Sequence, residues 1–382
     1  MKRIAEWMGL LGLLMLAAGA ASGQQIGKYV PIPAGSDADH SLTEINGTSD
    51  QAQKLALIDK FSANLGKGDM AIVADDLYVN YYLSQKDYDK AFEYGDKLFA
   101  LDPDNLSNDV NMVRAASEKG DSEKVVAYGE KLAGILQRFK DSPAPAGTEA
   151  DAWQRQKAAT LQSNNDNIEY IEDAVYMVDF RTTSAAKRAD MLVHFAQIFP
   201  DSPYANQALG VAAASYQQAQ NVPKMLEVAN GLLAKDPNNI GMLLLLSDYY
   251  SEKGEQLEKA EAWAKKAIEL LGAAQKPAGA TDEQWQQQVS LQKGLAYSSL
   301  GQVSIQKKEN AQAAENFKTA APLLKADEGS YGRNQYWLGF ALLNLKRNGE
   351  AREAFVQSAS VNSPYKALAQ AKLKTFVGAS RH

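Results

Sequence analysis

The residues best suited to chemistry are few and scattered along the chain. It has three histidines, His40, His194 and His382, and no cysteine. None of these histidines has a second metal ligand at helical spacing, which a metal site on a helix would need. His194 lies in an apolar stretch, so we expect a buried or interface histidine rather than a ligand. Without cysteine, the chain has no disulfide, thiolate metal site or cysteine nucleophile.

Pairs of carboxylates could in principle supply the acid and the base of a glycosidase. The pairs Asp75–Asp76 and Glu169–Glu172 are examples. They lie on predicted helices that need a solvated face, so ordinary surface charge is the simpler interpretation. No glycine-rich phosphate loop, Gly-x-Ser-x-Gly elbow or His-Glu-x-x-His helix occurs in the sequence. We therefore expect a protein without a cofactor, a metal or a catalytic residue.

Two tryptophans suggest a different chemistry, the stacking of aromatic rings on sugars. Trp153 and Trp285 each lie eight residues after the proline of a Pro-Ala-Gly tripeptide. These matched positions favour a packing role, in which each ring wedges an extended helix against its neighbour. Proline-bounded insertions around 141–165 and 273–293 are where an unrecognised enzyme site could lie. If these insertions are plain helix extensions, the enzyme hypothesis loses its support.

The elements that position these residues belong to a chain that repeats itself. Two segments recur farther along the chain at the same separation in sequence. Ser117–Gly120 recurs as Ser251–Gly254, and Leu101–Asn105 recurs as Lys235–Asn239, with an Asp-Pro dipeptide in both copies. A shorter period relates Tyr94 to Tyr128. That period is the length of a helix–turn–helix unit with three to four turns in each helix. Ala, Leu, Lys, Glu and Gln dominate the composition and favour helices.

The spacing of small and aromatic residues identifies the kind of repeat. Two glycines are each followed by Ala at +12 and Phe at +16: Gly301 by Ala313 and Phe317, and Gly339 by Ala351 and Phe355. This spacing resembles the tetratricopeptide repeat family. We expect seven units: 72–105, 106–140, 169–202, 206–239, 240–272, 294–328 and 332–365. The resemblance implies an all-α, right-handed α-solenoid of tandem helix–turn–helix repeats, duplicated internally.

The N-terminus resembles a secretory signal peptide. Lys2 and Arg3 precede an apolar run from 8 to 21, which is too short to span a bilayer comfortably. We expect a signal peptide over 1–23, with an uncleaved anchor as the alternative. A flexible or loosely docked arm over 24–50 follows. The expected divisions of the rest are repeats with a helical extension over 51–165, a second copy over 166–293, and C-terminal repeats with a capping helix over 294–382.

Charge and cysteine usage bear on location and partners. The chain has a net charge of −6 and no basic stripe interleaved with aromatic residues, which argues against nucleic acid. A bacterial lipoprotein needs a cysteine at its cleavage site, so we expect a periplasmic protein that is not a lipoprotein. No apolar run of membrane-spanning length follows the signal peptide. A protein or peptide partner is the remaining expectation.

The resemblance also implies a binding surface, because the first helix of each repeat lines the concave groove in that family. Carried over position by position, the partner-binding residues are Asp76, Asn80, Gln217, Asp248, Gln302, Arg333, Tyr336 and Phe340. The family's carboxylate clamp needs lysine beside asparagine, but here Asp76 accompanies Asn80, which argues against capture of a C-terminal carboxylate.

The predicted function is a non-catalytic protein–protein interaction scaffold of the bacterial cell envelope that holds a partner segment in its groove. An adaptor for envelope glycan or peptidoglycan is the alternative, and an enzyme the third possibility. The partner, the pathway and the oligomeric state stay open, as does whether the 24–50 arm fills the groove.

Overall fold

A computed structural model describes residues 25–277 and 279–379 of the chain. Within these ranges the secondary structure consists of eighteen α-helices and contains no strand. The helices are α1 (Asp37–Gly47), α2 (Gln51–Leu65), α3 (Met70–Ser84), α4 (Tyr88–Leu101), α5 (Leu106–Lys119), α6 (Ser122–Asp141), α7 (Ala150–Ser163), α8 (Asn165–Arg181), α9 (Ala185–Ile198), α10 (Ala205–Gln218), α11 (Val222–Lys235), α12 (Ile240–Lys253), α13 (Leu257–Ala273), α14 (Asp282–Gln306), α15 (Asn310–Leu324), α16 (Glu328–Asn344), α17 (Asn348–Ser360) and α18 (Lys366–Ala379). The predicted all-α class is confirmed.

Each of the seven expected repeat spans contains a pair of helices joined by a short turn. The pairs are α3–α4, α5–α6, α8–α9, α10–α11, α12–α13, α14–α15 and α16–α17. Most successive helices within each unit pack on one another. Tandem helical hairpins of this kind form the expected α-solenoid.

Most hairpin turns depend on one residue in the left-handed backbone region. Five of these residues are not glycine: Lys86, Gln220, Gln256, Lys308 and Lys346. Lys86 and Gln220 occupy equivalent positions in the duplication, as do the glycines Gly120 and Gly254, which end α5 and α12 with φ of 76° and 71°. A left-handed residue lets the chain reverse directly after a helix and satisfies its last carbonyls.

Small residues set the distance between paired helices. Ala260, Ala264 and Ala267 of α13 are fully buried, as the sequence pattern requires. A Cβ on Gly301 would lie 2.5 Å from the ring of Phe317, and a Cβ on Gly339 would lie 2.8 Å from that of Phe355. The glycine therefore makes room for the phenylalanine sixteen residues later, which explains the repeat spacing physically.

The chain divides into two compact units. Unit 1 comprises the described residues up to Ala208, and unit 2 those from Leu209 on. The repeats in the sequence suggested divisions at 165/166 and 293/294 instead. The second of these falls inside α14, a continuous helix of 25 residues. Ile58, Phe61 and Tyr78 lie in the core near the start of unit 1, whereas Phe317 and Phe355 lie in the core of the last hairpins of unit 2.

The segment expected to be a flexible or loosely docked arm contains a helix and two buried apolar side chains in its described part. α1 packs against α2 and buries Ile45, and Ile26 is buried as well. Two apolar side chains in a segment of this length favour docking over free solvation. The expected signal peptide over 1–23 lies outside the described residues. Among the described helices, none combines the length and the apolar character needed to cross a bilayer.

Candidate functional site

The first helices of neighbouring hairpins lie side by side and form a row in each unit. In unit 1, α3 contacts α5 and α5 contacts α8; in unit 2, α12 contacts α14 and α14 contacts α16. Most of the expected partner-binding residues lie on these two rows, and Gln217 lies on α10, which crosses the division between the units. The rows are therefore the place to look for a binding surface.

An ion pair spans the row of unit 2. Arg333 Nη1 on α16 lies 2.7 Å from Asp248 Oδ1 on α12, and Arg333 Nη2 lies 3.9 Å from Glu252 Oε2. The Arg333 and Asp248 side chains keep only 19% and 26% of their exposure. Burial disfavours the charge on Arg333, but the two carboxylates outweigh it, so its pKa is raised. The sequence did not indicate that these two expected site residues would meet across 85 positions.

Several buried hydrogen-bond donors on α14 and α16 have no hydrogen-bond partner among the described residues. They are Nε2 of Gln302, Nε and Nη2 of Arg333, and Nε1 of Trp337. Gln302 is 2% exposed and belongs to α14, the helix between α12 and α16. Two nearby acceptors on the same helices, Ser299 Oγ and Asn334 Oδ1, are also without a partner. Buried polar groups are normally hydrogen-bonded, so an unpartnered cluster indicates a place where a ligand could supply the missing atoms.

The two aromatic residues expected at this site belong to the core of the last hairpin. Tyr336 is 9% exposed, and its ring lies 5.0 Å from that of Phe340 and 5.7 Å from that of Phe355. Phe340 is half-buried and carries Lys372 Nζ 4.7 Å from its ring centre. These rings pack among α16, α17 and α18.

The equivalent residues of unit 1 form a different surface. Asp76 is half-buried and Asn80 is exposed, and Asn80 Nδ2 donates to the Asp76 carbonyl oxygen at 2.9 Å. Burial raises the pKa of the Asp76 carboxyl to about 6, with a hydrogen bond from Asn80 lowering it in part.

The remaining expected site residue, Gln217 on α10, belongs to unit 2, and its side chain is exposed to solvent.

Unit 1 also buries acidic side chains that the sequence did not single out as sites. Asp109 of α5 is fully buried, and neither of its carboxylate oxygens has a hydrogen-bond partner among the described residues. Burial raises its pKa well above the usual value, against the opposing charge of Lys131. Asp179 of α8 is 2% exposed, and burial, helped by Glu130, raises its pKa to about 7.

Two expectations about ionisable residues need correction. His194 is exposed, with its Nε2 3.2 Å from Glu130 Oε1, because the apolar stripe of α9 passes through Leu192 and Phe195 on another face. Glu172 was expected on a solvated face but is 6% exposed. Its burial raises its pKa, and a hydrogen bond from Ser202 opposes this effect.

The tryptophans of the two insertions differ in their surroundings. The Trp153 indole N–H donates to the Ser142 carbonyl at 3.0 Å, and its ring packs edge-on against Phe139. This places α7 against α6 and supports the packing hypothesis for Trp153. Trp285 is half-buried near the start of α14, and its indole N–H has no hydrogen-bond partner among the described residues.

The two insertions themselves are largely helical. The first contains the separate helix α7, and the second extends α14 at its N-terminus. In both, a turn follows the proline and is closed by a backbone hydrogen bond. The Thr148 N–H donates to the Pro145 carbonyl, and the Ala280 N–H donates to the Pro277 carbonyl. Within the described ranges, no three His, Asp or Glu side chains are grouped as metal ligands.

Trp337 and Glu252 were not among the residues expected at the site. Each lies four residues after an expected site residue, Arg333 and Asp248 respectively, and therefore on the same helical face. Extending each assigned position by one helical turn would have found both.

Comparisons with known proteins bear on the fold alone. No protein-family model matches the chain, and no curated protein matches it either. Similar solved structures include the APC/C hetero-tetramer Cut9–Hcn1, at 12% identity and a TM-score of 0.44, over 88% of this chain and 62% of that one. Yeast Tom70 is similar at 11% identity and a TM-score of 0.41, over 93% of this chain and 67% of the other.

The TPR domain of P58(IPK) is similar at 10% identity and a TM-score of 0.29, over 90% and 99% of the two chains. Likeness at this level bears on neither substrate nor partner. The chain itself consists of tandem helical hairpins, and glycine–phenylalanine contacts close the two that contain Gly301 and Gly339. By the construction of its own hairpins, the chain is an all-α solenoid of tandem helix–turn–helix repeats.

Proposed function

We propose that this protein is an interaction scaffold whose first-helix row in unit 2 binds a segment of a partner protein. The observation that carries the proposal is the group of buried, unpartnered donors on Gln302, Arg333 and Trp337. An unmade hydrogen bond at a buried group costs about 1–3 kcal/mol, which a ligand with acceptor atoms would recover. The carbonyl oxygens of a peptide, or an aspartate or glutamate side chain, have this chemistry.

The ion pair next to these donors explains how the surface stays ordered without a ligand. Asp248 holds the Arg333 guanidinium through Nη1 and leaves Nε and Nη2 without hydrogen-bond partners. Because the guanidinium is planar and its five N–H groups have fixed directions, holding one side orients the other. Arg333 is thus suited to recognise a second acceptor while it remains paired with Asp248.

The test compares two double variants of the mature chain. Gln302→Met/Arg333→Met removes donors from the row, and Gln288→Met/Arg352→Met removes the same groups from exposed positions elsewhere in unit 2. Partners are first captured from envelope extract with the unmutated chain and identified. The affinity of each purified partner for the three proteins is then measured by calorimetry.

We expect the row variant to lose at least tenfold in affinity and the control variant to lose less than twofold. Thermal unfolding of each protein shows whether the fold is kept. Equal affinities for a folded row variant and the control would contradict the proposal and move the binding surface elsewhere.

We further propose that the protein acts in a bacterial periplasm. The support is the sequence of the N-terminus, with its basic start and short apolar run, together with the absence of cysteine. Mass spectrometry of the protein from the periplasmic fraction is expected to show a chain that begins after Ala20 or Gly23. A chain that keeps residues 1–20 and stays in the cytoplasm would contradict export.

A further inference from the structure

The turn between α4 and α5 of unit 1 is covered by an N-terminal segment of the chain, Ile26–Lys28. The Lys28 N–H donates to Asp102 Oδ2 at 2.8 Å, and Lys28 Nζ donates to the Leu101 carbonyl at 2.8 Å. The Leu106 N–H donates to the Ile26 carbonyl at 3.4 Å. Ile26 and Asp102 are 3% and 2% exposed as a result. The segment is therefore bound as a short, bent peptide ligand would be.

Glycine is required in the middle of this segment. Gly27 has a φ of 115°, which side chains of L-residues rarely allow. A Cβ there would lie 2.8 Å from Asp102 Oδ2 and 3.1 Å from both the Asn105 Cα and the Asp104 carbonyl oxygen. The backbone of the segment lies directly on the turn, so the turn selects an apolar residue followed by glycine.

The turn between α11 and α12 of unit 2 is built in the same way. The three hydrogen bonds that shape the first turn recur at the equivalent positions of the duplication: Asp236 N–H to Leu232 O at 2.8 Å, Asn239 N–H to Asp236 O at 3.1 Å, and Met242 N–H to Asn239 Oδ1 at 3.1 Å. The backbone angles also match, with φ and ψ of −138° and 86° at Asp102 against −129° and 90° at Asp236. Each turn also has a basic side chain on the carbonyl of its proline: Arg138 on Pro103 and Lys266 on Pro237.

The second turn differs from the first in having no segment on it among the described residues. Asp236, Pro237 and Asn238 are exposed, whereas Asp102 is buried. Ile240, the counterpart of the buried Leu106, is only half-buried. The groups that hold Ile26–Lys28 in unit 1 have direct counterparts here: the Asp236 carboxylate, the Lys235 carbonyl and the Ile240 N–H.

We propose that the α11–α12 turn is a second docking site, which binds a short, bent segment of a partner protein with an aliphatic residue followed by glycine. The N–H of the residue after the glycine would donate to the Asp236 carboxylate. The carbonyl of the aliphatic residue would accept from the Ile240 N–H, and its side chain would cover the Ile240 side chain.

A partner protein suits the turn better than a second copy of the chain. In each copy, Ile26–Lys28 is already held by the turn of its own unit 1, and an intramolecular contact has the advantage of a high effective concentration. The site lies on a turn between hairpins and does not involve Gln302 or Arg333. A binding test of this turn therefore gives a result that does not depend on whether the first-helix row binds a partner.

The test uses a peptide of residues 25–32 as the probe. It is titrated into the mature chain labelled with ¹⁵N-asparagine, so that Asn238 and Asn239 report on the second turn and Asn105 and Asn108 on the first. We expect saturable shifts of Asn238 and Asn239 with a Kd on the order of 1 mM, as suits three hydrogen bonds and one small apolar contact. Asn105 and Asn108 are expected to stay unchanged.

Two changes sharpen this experiment. Asp236→Asn in the protein is expected to weaken binding at least fivefold, with Asp151→Asn at an exposed site as its control. Gly27→Val in the peptide is expected to abolish binding, and this measurement uses the unmutated protein. Shifts confined to Asn105 and Asn108, equal binding of the Gly27→Val peptide, or no shifts at tenfold higher peptide would each overturn the proposal.

Discussion

The two units build their rows of first helices from the same kind of hairpin but bury opposite kinds of hydrogen-bonding group in them. Unit 1 buries acceptors, the carboxylates of Asp109 and Asp179, without hydrogen-bond partners for three of their oxygens among the described residues. Unit 2 buries mainly donors, on Gln302, Arg333 and Trp337. Repeats of one kind can therefore keep their packing positions while their buried polar residues differ.

The difference also shows how each kind of group tolerates burial. A buried carboxyl can take up a proton, and the raised pKa values of Asp109 and Asp179 reflect this. A guanidinium cannot lose its proton in a protein, so Arg333 instead keeps a counter-ion, Asp248. The stability of unit 1 is consequently expected to depend on pH, and the stability of unit 2 on keeping the charge of Asp248.

The largest expected effect comes from neutralising Asp179 in unit 1. Since its folded-state pKa of about 7 lies above the ordinary value of 3.8, the ionised group destabilises the fold at high pH. Asp179→Asn should raise the free energy of unfolding by about 2–4 kcal/mol at pH 8, because each pKa unit corresponds to roughly 1.4 kcal/mol. Denaturant unfolding at pH 8 measures this.

The pH dependence gives the control for Asp179. The folded state takes up the proton first as the pH falls from about 7 to about 4, so this residue adds stability across that window. The gain from Asp179→Asn should shrink over the same window and vanish near pH 4. A gain of equal size at pH 4 and pH 8 would show that the variant acts by packing rather than by charge.

The glycine–phenylalanine contacts of the unit 2 hairpins are tested by Gly301→Ala. The new Cβ would lie 2.5 Å from the fully buried ring of Phe317, so we expect a loss of about 1–3 kcal/mol in the free energy of unfolding. Gly231→Ala in α11 meets nothing within 4 Å and should instead stabilise the protein by about 0.5–1 kcal/mol. Losses of equal size for both variants would assign the effect to backbone conformation.

The ion pair of unit 2 is tested by Asp248→Asn. A fully buried pair loses about 3–5 kcal/mol when one partner is removed, but both side chains here keep about a fifth of their exposure, so about 1–2 kcal/mol is expected. Glu350→Gln, which removes a more exposed partner of Arg347, serves as the control and should cost less than about 1 kcal/mol. Chemical denaturation at pH 7 distinguishes the two.

The smallest expected difference is between the matched tryptophans. Trp153→Phe removes the hydrogen bond to the Ser142 carbonyl and should cost about 1 kcal/mol. Trp285→Phe removes no such bond within the described structure and should cost less. If instead both variants lost binding of a soluble muropeptide while keeping their stability, the sugar-stacking hypothesis would replace the packing one.

Much of the scaffold could be predicted from the chain alone. Residues of one hairpin are close in sequence, so the short repeat period and the spacing from Gly301 to Phe317 predict which helices pair. The alanines of the repeat spacing, Ala313 and Ala351, are both fully buried. The candidate site was less predictable, because a helical position indicates a face but not its neighbours.

The amino-acid sequence by itself determined the all-α class, the seven helix pairs and the turns that end them, because these depend on local spacing and on the backbone preferences of single residues. Only the tertiary structure decided that Arg333 pairs with Asp248, that Tyr336 belongs to the core and that Ile26 docks on the turn at Asp102. Each of these depends on contacts between residues far apart in the chain. Such contacts are set by how successive hairpins pack, which no local pattern specifies.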